Sequence, residues 1–358
     1  MKSWMMAAFG CVLLAFVGGC KSVETRSAIL HNDAGRHDLA IETAQQALAS
    51  NPNDAEAYFQ LGVAYSKLDS AGLAYHHFVK SSELDPTREK MVNDNIQSNF
   101  AKHYNRALNF QKQDDLTSAA EEFDTATLAD PRQAKGFFML GATFEQLGDS
   151  DPTYYEKAVP AFDKVLELAT PADKHYIDAL KHAGRVLAKI GRPQEAESRF
   201  SRLIEEDPTN YRIIEQIGYD ALEAKDWKSA AVFLDLAARA RARIGAEDFN
   251  LYYNIGVAHF QQRKEDEAAI PMAVSYYEKA LELQPDEPQT VFNILVAYVA
   301  GEQWQQAIIW GEKYVGTTPD NADAWRLLSR SYSELGDDSK ARECASRYEE
   351  IVKKGGSN

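Results

Sequence analysis

The stretch Tyr58-Phe-Gln-Leu-Gly-Val-Ala-Tyr65, followed by Ala74, Phe78 and Pro86, decides the fold of this 358-residue chain. Large residues three and four positions apart form one apolar face of a helix, and small residues such as Gly and Ala let two helices approach closely. Similar large, small and turn residues return about every 34 positions. The stretch therefore predicts a pair of helices, and its recurrence predicts a row of such pairs.

A single helix pair cannot bury its own apolar face, so successive pairs must stack and share a core with their neighbours. We therefore expect an all-α solenoid of antiparallel helix pairs that forms one array over nearly the whole chain. Hydrophobic residues at 45% and charged residues at 26% fit a folded protein. The net charge of −15 opposes non-specific binding to nucleic acid, so we expect no nucleic-acid partner.

The pattern resembles the tetratricopeptide repeat family, whose unit of about 34 residues has large residues at positions 4, 7 and 11, small ones at 8 and 20, an aromatic at 24 and Pro at 32. The resemblance implies a right-handed superhelical solenoid. Further first-helix signatures are Phe137-Leu140-Gly141-Phe144, Tyr252-Ile255-Gly256, Val291-Ile294-Tyr298 and Trp325-Leu328-Tyr332.

Nine units follow from the positions of these signatures, and they cover about 21–52, 55–86, 87–131, 134–171, 177–208, 211–244, 249–285, 288–319 and 322–352. The first and last units are degenerate, as caps are, and their outer faces should be polar. Extra residues between Thr87 and Asn99 predict a longer first helix that projects beyond the array. Insertions before Pro160 and Pro271 predict that each proline lies in a first helical turn. Residues 353–358 are expected to be a disordered tail.

The first residues have the layout of a bacterial secretory signal, with Lys2, an apolar run from Trp4 to Val17, and then Gly-Gly-Cys20. The run is shorter than the roughly 20 residues that a spanning helix needs, so cleavage is expected. The sequence Val-Gly-Gly-Cys resembles the lipobox of bacterial lipoproteins, which implies a signal peptide at 1–19, an acylated (palmitate-bearing) Cys20 and a mature solenoid over 20–352. Lys21 in place of Asp implies the outer membrane, facing the periplasm.

No stretch has the spacing of a phosphate loop, a dinucleotide-binding turn, a zinc-binding cysteine pair or a nucleophile elbow. We therefore expect no enzyme activity, no cofactor and no metal. With Cys20 acylated, Cys344 has no cysteine to pair with, and its place on an amphipathic helix predicts a buried structural thiol.

The concave surface of tetratricopeptide arrays is lined by first-helix positions 2, 5, 6, 9, 12 and 13, and the resemblance implies a peptide-binding groove there. Asparagine can bond both groups of a peptide backbone, and aromatic rings supply apolar area. The groove residues so predicted are Tyr104, Asn105, Asn250, Tyr253, Asn254, Phe260, Phe292 and Asn293. Ordinary exposed repeat composition is the alternative.

Unit five has a basic stripe, formed by Lys181, His182, Arg185 and Lys189 at helical spacing. The stripe could bind an acidic partner, or it could pair with carboxylates of the neighbouring units.

These observations favour a membrane-anchored scaffold or adaptor outside the cytoplasm, which binds protein or peptide partners in envelope assembly or secretion. The alternative is an accessory factor that binds cell-wall or surface polysaccharide through exposed Tyr and Phe and through Trp227 and Trp304. Both tryptophans fall near the turn before a second helix, so packing is their expected role.

Overall fold

A computed structural model describes residues 21–355, and the predicted signal peptide and Cys20 therefore lie outside the described part of the chain. The described residues form eighteen α-helices, two single 3-10 turns and no strand. The prediction of an all-α fold of paired helices is confirmed. The chain divides into two compact units, one up to Gly136 and one from Phe137, where the sequence alone predicted a single array.

Three helix pairs form the first unit. They are α1 (Val23–Asp33) with α2 (His37–Ser50), α3 (Ala55–Lys67) with α4 (Ala71–Leu84), and α5 (Glu89–Lys112) with α6 (Leu116–Ala129). Each pair packs against the next, α2 on α3 and α4 on α5. A 3-10 turn, Pro86–Arg88, leads into α5.

The second unit begins at Phe137, within α7, and contains the remaining helices. They are α7 (Ala134–Gly148) with α8 (Thr153–Leu168), α9 (Lys174–Lys189) with α10 (Pro193–Glu206), α11 (Tyr211–Glu223) with α12 (Trp227–Arg243), α13 (Phe249–Gln261) with α14 (Ala269–Leu283), α15 (Pro288–Ala300) with α16 (Trp304–Thr317), and α17 (Ala322–Glu334) with α18 (Asp338–Gly355). A second 3-10 turn covers Pro208–Asn210.

Glycine on the first helix faces a large side chain on the second helix within several pairs. A Cβ atom added at Gly62 would lie 2.5 Å from the Phe78 ring, and one at Gly256 would lie 2.6 Å from the Tyr277 ring. Phe78 and Tyr277 are almost completely buried. The small and large positions of the repeat are therefore the contact at which the two helices of a pair approach most closely.

Most turns between paired helices contain one residue with a left-handed backbone, such as Gly35, Asp69 or Lys225. Glycine adopts this conformation without strain, and Asp does so more readily than most other residues. Of the nine turns in 21–355, only those of the fourth and seventh pairs have no such residue. These are the two pairs in which the sequence has extra residues between the two helices, so the inserted residues replace the left-handed turn.

The extra residues of the third pair lengthen α5 to 24 residues, as expected. They do not project, however. Val92 and Ile96, on the added turns, are 2% and 1% exposed and pack with Phe59 and Phe78. The prediction of a projecting helix is wrong, because these apolar side chains continue the core of the preceding pair.

Pro160 lies in the interior of α8, so its predicted place in a first turn is wrong, whereas Pro271 does lie in the first turn of α14. The difference arises from the residues before Pro160. The helix α8 begins at Thr153, whose amide donates to the Asp151 carboxylate at 3.0 Å, so the inserted residues from Thr153 onward become helix.

The ends of the chain differ in part from what the sequence predicted. The exposed face of α1 is mixed rather than polar, because Val23 and Leu30, 76% and 66% exposed, share it with the exposed Arg26 and Asp33. Polar contacts hold the other side of α1, where the Asn32 amide donates to Gln60. At the other end, α18 continues through Gly355, so residues 353–355 are helical rather than disordered.

Cys344 is a free, buried cysteine at 5% exposure, as predicted. None of the helices over residues 21–355 combines the length and the apolar character that crossing a membrane requires.

Candidate functional site

The first helices of the last three pairs, α13, α15 and α17, line a surface cavity of about 510 Å³. We name it the C-terminal groove. Its lining residues are Phe260, Arg263, Phe292, Val296, Val299, Ala300, Glu302, Asp323, Arg326, Leu327 and Arg330.

Of the predicted groove residues, Phe260 and Phe292 line this cavity. Both are half-buried and pack against the apolar core of the last pairs, and the Phe292 ring lies 5.1 Å from the Tyr314 ring. Packing therefore fixes the two rings while part of each remains accessible, as a binding surface for apolar side chains requires.

None of the predicted asparagines lines the cavity, and Asn254 and Asn293 are bonded within the protein. The Asn293 amide donates to the Tyr253 hydroxyl at 3.1 Å, and its oxygen accepts from Gln289 at 3.0 Å. Asn254 forms a hydrogen bond with Tyr219. These bonds tie α13 to α11 and to α15, so Asn254 and Asn293 could bind a peptide backbone only by exchanging them. Asn250 is exposed in the first turn of α13.

Burial raises the pKa of two tyrosine hydroxyl groups that contact these asparagines. It raises the pKa of Tyr277 strongly, with Tyr253 adding to the rise and Asn293 opposing it. Burial likewise raises the pKa of Tyr219. The hydroxyls thus remain neutral at physiological pH and act as hydrogen-bonding groups rather than as charges.

Sequence reasoning missed the cations of the groove. Arg326 and Arg330 lie on α17, and their side chains are 60% and 57% exposed. They occupy positions 5 and 9 of the ninth unit, the same positions from which the other groove residues were read, so applying that rule to the last unit would have found them. Arg263 lies just beyond the end of α13, where no repeat position predicts it.

Aromatic rings hold two of these arginines. The Arg263 guanidinium lies 4.3 Å from the centre of the Phe260 ring and donates to the Phe260 carbonyl oxygen at 3.1 Å. The Arg330 guanidinium lies 5.2 Å from the Trp304 ring. Such stacking uses the face of a guanidinium and leaves its N–H edge able to bind other groups.

In the first unit, Tyr104 is half-buried between Phe100 and Phe123, with ring centres 5.4 and 5.5 Å away, and the Lys135 ammonium lies 5.4 Å from its ring. Burial raises its pKa. Asn105 is exposed on the same helix. Tyr104 is thus mainly a packing residue.

The basic stripe of α9 is largely paired with carboxylates. Arg185 donates to Glu145 at 2.8 Å, and His182 also contacts that carboxylate. Burial alone would raise the pKa of Glu145, but the hydrogen bonds from His182 and Arg185 outweigh it and lower the pKa. Arg185 therefore pairs with a carboxylate of the neighbouring unit, which was one of the two alternatives for the basic stripe.

Lys189 is engaged in the same way. Its ammonium donates to Asp149 at 2.7 Å and to the Tyr155 hydroxyl at 3.0 Å, and that hydroxyl donates to Asp149 at 2.6 Å. Lys181 is half-buried beside them on α9. Binding of an acidic partner at Lys181, Arg185 and Lys189 stays a prediction, and it would require these pairs to break.

The two tryptophans of the polysaccharide hypothesis are half-buried at the start of second helices, Trp227 on α12 and Trp304 on α16. Trp304 packs against the core of the last pairs. Between residues 21 and 355, no three His, Cys, Asp or Glu side chains are grouped so that they could hold a metal ion.

Paired helices with an open groove on their first helices define a helical-repeat scaffold for protein interaction. Three stretches match tetratricopeptide repeat families, residues 30–69 described as TPR repeat and residues 55–88 and 104–151 as Tetratricopeptide repeat. The chain therefore contains tetratricopeptide repeats in these stretches.

Two curated relatives match most of the chain. BBSome complex member BBS4 of Bos taurus is 24% identical over 319 residues, which are 89% of this chain and 49% of that protein. Its homolog in Drosophila melanogaster is 21% identical over 315 residues, 86% of this chain and 60% of that protein. The chain thus spans about half to three fifths of the length of these relatives.

Solved structures with a similar fold include that of YrrB, described as a TPR protein with an unusual peptide-binding site, at 18% identity over 65% of this chain and 93% of that chain, with a TM-score of 0.32. Another is pilF of Pseudomonas aeruginosa, at 19% identity over 62% of this chain and 97% of that chain, with a TM-score of 0.31.

Proposed function

We propose that the protein is a scaffold that binds an extended segment of a partner protein in the C-terminal groove. The cavity of about 510 Å³ carries this proposal, because every helical residue that lines it belongs to the first helix of a pair. Three successive first helices supply apolar floor and polar rim together, which is the composition that protein interfaces favour.

The proposed role includes an anchor on the bacterial cell envelope. Cys20 would carry acyl chains after removal of residues 1–19. Two or more acyl chains bind a bilayer stably, since each buried CH₂ contributes about 0.8 kcal/mol. The scaffold would then hold its partners at the membrane, in envelope assembly or secretion.

The curated relatives support an assembly role in one respect. Both are described as members of the BBSome complex, so chains similar to this one occur as components of a multiprotein assembly. We propose no catalytic activity.

The proposal is tested by filling the groove. Val296 is half-buried in the cavity wall, and Val296→Gln adds volume and a polar group where a partner's apolar side chain would pack. Ile309→Gln is the matched control, because Ile309 is 52% exposed on α16 and does not line the cavity. A photo-crosslinking residue at Phe260 of the full chain, in intact cell envelopes, identifies the partner, and binding of the purified partner is then measured by titration.

We expect Val296→Gln to weaken that binding by about tenfold or more, as loss of a central interface contact does, and Ile309→Gln to leave it unchanged. Equal affinity of both variants and the parent protein would reject the groove as the binding site.

A further inference from the structure

We infer that the C-terminal groove selects an extended acidic segment, in which two carboxylate side chains at alternate positions adjoin a large apolar residue. The inference rests on the proposed function and specifies the chemistry of the partner. Its basis is that three arginines surround an apolar floor in a chain whose net charge is −15.

The floor of the groove is apolar and already ordered. Phe292, Val296 and Leu327 are half-buried, and Phe292 and Leu327 pack on the buried core formed by residues such as Ile294 and Leu295. An apolar side chain placed on this floor loses contact with water and displaces no polar group of the protein. The floor therefore accounts for the apolar member of the segment.

The lining of the groove contains three guanidinium groups and only two carboxylates, those of Glu302 and Asp323. Arg326 donates to Asp323 at 2.8 Å across one helical turn, an exposed pair of the kind that contributes little to stability. Arg330 is only loosely paired, at 4.0 Å from Glu334. Both arginines can thus exchange a weak contact for a ligand carboxylate.

Arginine is suited to this exchange because its planar fork can donate two parallel hydrogen bonds to one carboxylate. Stacking of Arg263 on Phe260 and of Arg330 on Trp304 orders these side chains before a ligand arrives. Less conformational entropy is then lost on binding. An acidic chain repels other acidic chains, so a surface with an excess of arginine marks where an acidic segment can approach.

Spacing favours carboxylates at alternate positions. Arg326 and Arg330 are four residues apart on one helix, so their Cβ atoms lie about 5 to 6 Å apart on the same face. In an extended chain, residues i and i+2 point to the same side and lie about 6.5 to 7 Å apart. An extended segment along α17 can therefore offer one carboxylate to each arginine.

The test uses the full chain in detergent and three fluorescein-labelled peptides, read by fluorescence anisotropy. The acidic probe is Leu-Phe-Gly-Glu-Ser-Glu, the neutral twin has Gln for both Glu residues, and the basic twin has Lys. We expect the acidic probe to bind about tenfold or more tightly than either twin, with an affinity that falls as salt is raised.

Arg326→Gln with Arg330→Gln removes two groove cations, and Arg342→Gln with Arg347→Gln removes two exposed arginines of α18 outside the groove. The second variant is a matched control because it changes the net charge by the same amount. Arg347 resembles Arg326 in forming an exposed ion pair across one helical turn, with Glu350 at 2.7 Å. We expect the groove variant to bind the acidic probe only as well as the neutral twin binds the parent protein, and the control variant to stay within about twofold of the parent.

Failure of this inference differs from failure of the proposed function. If the three peptides bind equally and Val296→Gln weakens all of them, the groove binds protein segments but does not select acidic ones. If the acidic probe does not saturate the protein at about 1 mM, or if both double variants lower its affinity equally, selection by the groove arginines is excluded.

Discussion

At the scale of single residues, Gly62 shows how one missing atom sets the distance between two helices. The Phe78 ring occupies the space where a Cβ atom would lie, 2.5 Å from it, and the same arrangement recurs between Gly184 and Phe200. These rings are fully buried in a closely packed interior. A side chain at the glycine position must therefore displace the ring or separate the helix pair.

Replacing Gly62 by Ala should lower the free energy of unfolding by about 1 to 3 kcal/mol, because the added methyl group overpacks the contact with Phe78. Gly72→Ala is the control. Its Cβ atom would lie 3.8 Å from Leu128, an ordinary contact, and alanine favours the helix. Thermal and urea unfolding of the full chain measure both changes. Equal stability of Gly62→Ala and the parent protein would contradict the contact.

His77 provides a residue-scale prediction about pH. The ring is half-buried, stacked 5.3 Å from Tyr65 and 5.9 Å from Tyr58, and its Nδ1 atom has no hydrogen-bond partner among residues 21–355. Burial, assisted by the neighbouring His76, lowers its pKa from 6.5 to about 4. The folded protein therefore favours the neutral ring.

The stability that the neutral His77 ring provides should be complete above pH 6.5 and should fall as the pH drops towards 4, because the unfolded chain then binds a proton that the folded chain does not. Partial solvent screening limits the loss to about 1 to 2 kcal/mol. His77→Phe keeps the stacking and removes the titration. Unfolding at pH 7 and pH 5 should show a smaller pH effect in this variant; an unchanged effect would assign it to other groups.

Residue spacing predicted the glycine and aromatic contacts because both partners lie within one repeat. It could not predict the hydrogen bond from Asn293 to Tyr253, since residues 40 positions apart meet only after neighbouring pairs have packed. For the same reason, sequence analysis offered Asn293 to a peptide although Tyr253 and Gln289 already bind it.

At the scale of elements, the first turns of α5 pack against the preceding helix pair, α3 and α4. Val92 and Ile96 join Phe59, Ala74 and Phe78 in one buried cluster. Sequence analysis predicted the longer helix correctly from the absence of Pro and Gly. The sequence could not predict where the added turns pack. Two apolar residues four positions apart predict a buried helix face, but they do not identify the helix against which that face packs.

Ile96→Ala should lower the free energy of unfolding by about 2 to 4 kcal/mol, since it removes a fully buried side chain and leaves a cavity. Met91→Ala is the control, because Met91 is 40% exposed on the same added turns. We expect the control to change stability by less than about 0.5 kcal/mol. If the two variants are equally stable, the added turns do not pack as described.

Local sequence also explains where elements depart from the repeat. The helix α8 begins at Thr153, before the expected residue, and this leaves Pro160 inside the helix. A proline in a helix interior removes one backbone hydrogen bond, and the sequence signal for a first turn is the same in either place. Pro160 therefore does not mark where α8 begins.

At the scale of the whole molecule, acidic residues outnumber basic ones by 54 to 39, yet the C-terminal groove has three arginines and two carboxylates. The net charge of the chain predicts which partners the protein avoids. It does not predict which part of the surface has an excess of positive charge. The local excess of positive charge depends on which residues of three neighbouring first helices lie on the same surface.

Membrane attachment is the prediction that concerns the whole chain. Cys20→Ala should leave the helical content and the melting temperature unchanged, because the eighteen helices of the described residues all begin after Cys20. The variant should move from the membrane fraction to the soluble periplasmic fraction on cell fractionation, since it lacks the acyl chains. The same variant of Cys11 should remain with the membrane. A membrane-bound Cys20→Ala protein would refute the anchor.

Within each compact unit, helices contact mainly the helices nearest to them along the chain. Proteins with such short-range contacts fold quickly, because few long loops must close first. A hairpin of this protein can accordingly form as soon as its two helices are available, whether or not distant parts have been synthesised, and a break in one hairpin weakens its neighbours before it affects the rest.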